Sequence, residues 1–380
     1  MEPFYYTKMT KQQQAAYHVI MQGANALADE FQIPRIESAE LYDVFFRLRL
    51  DHPEIFWATG FKYRYYQESP NIQFLPEYLF DRAKVKEHQK AMRSRVEKLA
   101  RPAQKLSESE KEKYIHDFIC ENVKYDKLKK PYSHEIIGPL GQGVGVCEGI
   151  AKAVKVLCDE LGVWCMIAIC GNNPDKGIKY RHTWNIVRIN GKYYHLDATF
   201  DNTLTRKCAI GEEIRYDYFN LEDKSIFRDH EPLIAPAMKC MDGDHFYYKE
   251  KKLSFTKTED VYKRALQTAK KGRVFTFHWR GGYLTKAVLD ELLDLIQKAG
   301  KEKQITDMVE FPVMERCRHD AFQFMLREIL YFPCRSFRLI ACKRIGRQDT
   351  CRLRFPDNRH QLCGQQQNSS RTQLAVRPQV

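Results

Sequence analysis

The chain has 380 residues, 43% hydrophobic and 29% charged, enough to bury a full core and ordinary for a globular protein. Its formal net charge is +13, but residues 311–380 alone hold 13 Lys+Arg against 5 Asp+Glu. The body of the chain therefore carries no general basic face, which argues against nucleic-acid binding by its core. No apolar stretch reaches membrane-spanning length.

Residues 10–31 are expected to form a helix, with Tyr17, Ile20, Ala24, Leu27 and Phe31 on one stripe. A second helix is expected over 38–51, before Pro53. Ile55–Trp57 and Lys62–Tyr66 read as short strands about Gly60, and 81–104 as a long charged helix. Ser107-Glu108-Ser109-Glu110 is a capping box, so another helix starts there. A polar connection with Pro131, Gly138, Pro139, Gly141 and Gly143 leads to Cys147.

Cys147 opens a helix in which Ile150, Ala153, Val154, Leu157 and Leu161 share a face and Gly162 caps the end. A cysteine on the first turn meets unpaired backbone N–H groups and the helix dipole, both of which favour a thiolate. Val163–Cys170 then reads as a strand buried on both faces, followed by turn chemistry at Asn172–Gly177. Tyr180–Ile189 and Lys192–Thr199 flank Asn190-Gly191, a strong two-residue hairpin signal. The core is thus a helix followed by a three-stranded antiparallel meander.

That turn makes a geometric prediction. Ile189 pairs with Lys192, so Trp184 pairs with Asp197, and His182 becomes the diagonal same-face neighbour of Asp197. Such Cβ atoms lie about 7–8 Å apart or less, within reach of an imidazole and a carboxylate. Asp197 then fixes the tautomer of His182, whose other nitrogen faces a nucleophile if the Cys147 helix packs across that sheet face. His195 shares the face and competes as the imidazole, but the diagonal to Asp197 favours His182.

Other clusters carry less. Cys158, Cys165 and Cys170 lack a Cys-x-x-Cys spacing, so no metal site is expected there. No phosphate-binding glycine loop or clustered calcium ligands are visible, and no cofactor is expected. His230 and His245 are expected at the surface, and Asp201 in a turn. Beyond 216 the signals weaken: Tyr216–Phe219, a strand near Phe246–Tyr248, a helix near 259–270, a strand at Val274–Phe277 and a helix at 284–299.

Gly145-Val146-Cys147-Glu148-Gly149-Ile150-Ala151, Arg181-His182-Thr183-Trp184-Asn185 and Tyr194-His195-Leu196-Asp197-Ala198-Thr199-Phe200-Asp201 resemble the transglutaminase-like superfamily. The likeness is nearer to its bacterial members than to animal cross-linking enzymes. Tyr114–Asp117, Val123–Asp126 and Tyr216–Asn220 resemble segments that flank the core in that group. The resemblance implies a papain-like fold with Cys147 as nucleophile, His182 as general base and acid, and Asp197 as the orienting carboxylate. The backbone N–H of Cys147 offers one oxyanion donor. Gln142 and Trp184 are the candidate oxyanion or substrate-binding side chains.

The expected fold is α+β: a mainly helical region over 1–106, a papain-like, transglutaminase-like core over 107–215, and a small α/β extension over 216–310. Residues 311–380 read as a basic Arg- and Cys-rich tail, either nucleic-acid-binding or, the favoured reading, translated out of the parent frame, with disorder expected from Gly364 onward. The expected function is a thiol enzyme acting on amide or peptide bonds of a protein or peptide substrate, hydrolysis being favoured. The alternatives are a glutamine cross-linking transferase and an inactive interaction module. Twelve cysteines in no regular framework, and an N-terminus without a basic or apolar leader, point to a reducing, cytoplasmic setting without membrane association.

Overall fold

The computed structural model describes residues 2–303 apart from 67, 172–180, 205, 209–210, 229, 231–232, 234–236, 272–274 and 283, together with 312–313 and 326–327. The N-terminal region is built from α1 (Lys11–Asn25), β1 (Phe31–Pro34), α2 (Ser38–Asp51), β2 (Ala58–Tyr65), β3 (Asn71–Tyr78) and α3 (Arg82–Ala100). Thr10 and Gln13 form a capping box on α1. That helix stops earlier than its apolar stripe suggests. Leu27 turns into the left-handed region at φ 53°, and the chain runs on to pair β1 with β3.

The three strands form an antiparallel sheet in the order β1-β3-β2. Sequence reading finds β2 in pieces and misses β3. The Gly60 irregularity interrupts one, and Pro76 disguises the other. Pro76 is tolerated because β1 pairs only with Asn71–Phe74, short of the proline.

Next come α4 (Glu108–Asn122), β4 (Lys124–Tyr125), β5 (Val144–Gly145), α5 (Cys147–Leu161), β6 (Cys165–Cys170), β7 (His182–Ile189), β8 (Lys192–Leu196) and α6 (Ala198–Leu204). The Ser107/Glu110 capping box starts α4, and Gly162 ends α5 in the left-handed region at φ 72°. Asn190 and Gly191 both take positive φ, 50° and 80°, as a type I′ turn requires. Ile189 pairs with Lys192 and Asn185 with Leu196. The hairpin register is therefore the one its turn dictates.

After β9 (Arg206–Cys208) and β10 (Gly211–Glu213), β11 (Phe219–Leu221) adds a fourth strand to the meander, giving the antiparallel order β11-β8-β7-β6. This strand is too short for its alternation to be read from sequence. Tyr5 joins the N-terminal region to the core by donating its hydroxyl to Ile167 O at 2.5 Å.

The remaining elements are α7 (Asp223–Ile226), α8 (Tyr247–Glu250), β12 (Ser254–Phe255), α9 (Thr258–Lys270), β13 (His278–Trp279) and α10 (Lys286–Glu302). The expected strand at Phe246–Tyr248 is instead the start of one helical turn. Of the strand expected at Val274–Phe277, Val274 lies outside the described residues and 275–277 form no strand; β13 follows them and pairs in parallel with β12. The main apolar core extends to Tyr248, and a second cluster gathers Val261, Ala265, Phe275, Leu292 and Ile296. The Asn172–Gly177 turn lies outside the described residues. So does the tail, except for the short pair β14 (Pro312–Val313) and β15 (Leu326–Arg327).

No helix among the described residues is long and apolar enough to cross a membrane.

Candidate active site

The approach to Cys147 is shaped by backbone. Gly143 turns the chain at φ 65°, β5 pairs in parallel with β4, and Val146 N donates to Ser133 O at 3.0 Å. Val146 is the extended N-cap of α5, with no side-chain cap. The first-turn N–H groups are thereby left to the thiol and to whatever binds beside it. Cys147 is half-buried.

The next residue anchors this turn. Glu148 belongs to a buried ion cluster with Arg49, Glu135 and Lys152, and receives a further bond from His134 Nδ1 at 3.2 Å. Burial disfavours its charge, but Lys152, His134 and Arg49 together hold the carboxyl far below the ordinary value.

His182 Nε2 lies 2.5 Å from Asp197 Oδ2. An ionised carboxylate only accepts, so Nε2 carries the proton and Nδ1 is left for Cys147. Burial works against the imidazolium. The charge and hydrogen bond of Asp197, joined by the interaction with Cys147, outweigh it and lift His182 to about 10. Asp197 is itself fully buried. Its Oδ1 accepts from Thr199 N at 2.9 Å and Phe200 N at 3.0 Å, and His182 pulls its pKa well below normal despite desolvation.

The convergence differs in one respect from the sequence-based picture. Asn185, opposite in alternation to His182, donates to Ala151 O at 2.9 Å. The body of α5 therefore covers the Asn185 face, and Cys147 meets His182 at the start of β7 rather than across the sheet face.

The other candidates are placed as follows. His195 Nδ1 accepts from Trp184 Nε1–H at 2.9 Å, so its proton sits on Nε2 and points to Asp223 Oδ1 at 2.8 Å. Burial lowers its pKa. The indole N–H of Trp184 is thus committed to His195 and is no donor for a substrate oxygen. The Trp184 ring stacks on His182 at 5.8 Å and 17°. Gln142 is exposed at the end of the turn before Gly143.

Two expectations need correction. His230 is not at the surface: it is 3% exposed, and its Nε2 also lies 2.9 Å from Asp197 Oδ2. Asp201 is fully buried and bonds His116 Nε2 at 3.1 Å and Tyr218 N at 3.0 Å. Both residues sit in polar stretches whose burial depends on distant elements, so no local periodicity marks them. His116 has Cys120 Sγ 3.7 Å away, which resembles a second Cys-His-Asp set. Cys120, however, is buried within α4, with no approach for a substrate. His245 is half-buried against Tyr194.

Two groups among the described residues bring three metal-ligand atoms together: His182, Asp197 and His230, and His195, Asp223 and Cys240. Neither fits an ion. The two Nε2 atoms lie 2.5 and 2.9 Å from Asp197 Oδ2, hydrogen-bond distances shorter than the roughly 3.3 Å between ligands about 2.0–2.1 Å from a tetrahedral ion. In the second group Trp184 fixes the proton of His195 on the nitrogen that faces Asp223, where a metal needs the lone pair.

The transglutaminase-like superfamily model matches residues 94–198, a stretch that includes Cys147, His182 and Asp197. None of the curated proteins matches the chain by sequence. Solved structures similar to it include a TGase, at 12% identity over 37% of this chain and 44% of that one, with a TM-score of 0.24. A candidate cysteine protease from Cytophaga hutchinsonii is 17% identical over 37% of this chain and 61% of that one, TM-score 0.23. A candidate protease from Parabacteroides distasonis is 15% identical over 38% of this chain and 37% of that one, TM-score 0.24. The chain thus spans less than two thirds of each of these proteins. The α5 helix, the hairpin that follows it and the match itself lead to one conclusion: residues 94–198 are a transglutaminase-like domain.

Proposed function

We propose that this chain is a thiol enzyme that cleaves amide bonds of a protein or peptide substrate through an acyl-enzyme. The observation that carries this reading is the position of His182, with Asp197 on one ring nitrogen and the Cys147 thiol interacting with the same imidazole. Cys147 Sγ attacks the carbonyl carbon, and the proton held on His182 passes to the leaving amine. His182 then takes a proton from water, whose oxygen displaces Cys147 and releases the carboxylic acid. Asp197 holds the imidazole through both steps. The Cys147 N–H supplies one oxyanion donor and Gln142, exposed on the loop before it, the second. A lysine amine in place of water would make the same acyl-enzyme a cross-linking intermediate. Water needs no built acceptor site, so hydrolysis is the favoured outcome.

The test is the rate of iodoacetamide alkylation of each cysteine against pH, read by peptide mass mapping in wild type and His182→Ala. A hydrogen bond with Cys165, together with burial, raises the pKa of Cys158, and burial raises that of Cys240, which makes them slow internal controls. Cys147 is expected to be alkylated much faster near neutral pH than these controls, and His182→Ala to slow it toward them. A Cys147 that reacts at the same rate in both proteins across the pH range would overturn the reading and leave an idle interaction module.

A further inference from the structure

We propose that His230 is a positioning residue of this site, a second imidazole on Asp197 that sets how tightly His182 keeps its proton. The inference rests on the roles given above to Cys147, His182 and Asp197. His182 Nε2 and His230 Nε2 lie 2.5 and 2.9 Å from the same oxygen, Asp197 Oδ2. The other oxygen is occupied by the backbone N–H groups of Thr199 and Phe200.

Each donor added to a carboxylate weakens its hold on the others, because the same negative charge is shared. With His182 alone on Oδ2, Asp197 would bind the imidazolium more tightly. The ring would then be a poorer acid toward a leaving amine. His230 relieves that hold without exposing the carboxylate to water.

Its placement is specific. The ring stands edge-on to Trp184 at 4.8 Å and 81°, to Phe200 at 5.0 Å and 66°, and to His182 at 5.2 Å and 67°. Its backbone N–H is tied to Ile226 O at 3.0 Å. Burying an imidazole costs free energy unless hydrogen bonds offset it, and here the bond made is to the triad carboxylate.

The titratable groups facing the pair come from several elements. Cys147 approaches from α5, and His195 from β8 with Asp223 of α7 behind it. Tyr218 lies with its ring 5.6 Å from that of His230. All of them are retained when His230 alone is replaced. The direction of the effect does not depend on the charge of His230, since loss of a neutral donor or of a cation both strengthen the hold of Asp197 on His182.

The experiment uses the full chain and two variants. His230→Phe keeps a ring of similar shape and removes the donor; His230→Gln keeps an N–H donor and removes the ring. The midpoint of His182 is read against pH from long-range proton–nitrogen correlations of the imidazole. His230→Phe is expected to raise that midpoint by about one pH unit, and His230→Gln to leave it within about 0.3. An unchanged or lowered midpoint in His230→Phe, or equal shifts in both variants, would overturn the proposal. Should His230→Phe not fold, the wild-type spectrum still decides, because a bare Nε2 on His230 sinks it. The iodoacetamide experiment tests the thiol-enzyme reading separately, so the two can fail independently.

Discussion

The carbonyl oxygen of Ser133 lies 2.2 Å from where a Cβ on Gly149 would stand. Two residues after Cys147, α5 passes so close to the preceding loop that only a hydrogen fits. The same carbonyl receives Val146 N, so the contact sets the position of the whole first turn.

Gly149→Ala should therefore displace either the loop or the thiol. The expected loss of stability is on the order of 1–3 kcal/mol, the usual cost of overpacking. Urea denaturation measures it, and Cys147 alkylation should slow in the variant. A midpoint equal to wild type would mean that the loop yields freely.

Asp197→Asn removes the charge that outweighs the burial of His182. The imidazole should then be neutral near pH 7 and no longer form a charged partner for Cys147, slowing alkylation at pH 6 by roughly 10- to 100-fold. The folded pKa of His182, about 10, is raised from 6.5. Its stabilising contribution is full below about 6.5 and is lost as pH rises through 10. Thermal scans of wild type between pH 7 and 10 should show this decline, and Asp197→Asn should flatten it.

Lys152 is fully buried, with Nζ 2.9 Å from both oxygens of Glu135 and 2.7 Å from Glu148 Oε1. Lys152→Met would leave two buried carboxylates to share Arg49. Breaking such a set costs about 3–5 kcal/mol. Chemical denaturation of Lys152→Met reads the loss directly, and a change under 1 kcal/mol would show that the cluster is not cooperative.

Glu112 is fully buried, with Oε2 bonded to Asn220 Nδ2 at 3.0 Å and no partner for Oε1. Desolvation raises it to about 8, so the folded protein keeps it protonated where the unfolded chain ionises it. Stability should fall as pH rises from 4.5 toward 8, by up to about 1.4 kcal/mol per pH unit from this group. Glu112→Gln should remove that slope, gaining on wild type by on the order of 1–3 kcal/mol between pH 4.5 and 7. Parallel denaturation curves at the two pH values would count against it.

What the sequence by itself determined is local. The capping box at Ser107, the left-handed end at Gly162 and the Asn190-Gly191 turn follow from short-range backbone sterics and hydrogen bonds. The turn also carries the register that sets His182 diagonal to Asp197, because side-chain alternation propagates along both strands without outside help. What only the tertiary structure decided is which polar groups are buried, and against what. His230 reaches Asp197 across 33 positions and His116 reaches Asp201 across 85, separations over which composition and period carry no signal. The same holds for Arg49, which leaves the N-terminal region to complete the ion cluster beside Cys147. Such residues look like surface until distant elements close over them, since burial is a property of the packed chain and not of its neighbours in sequence.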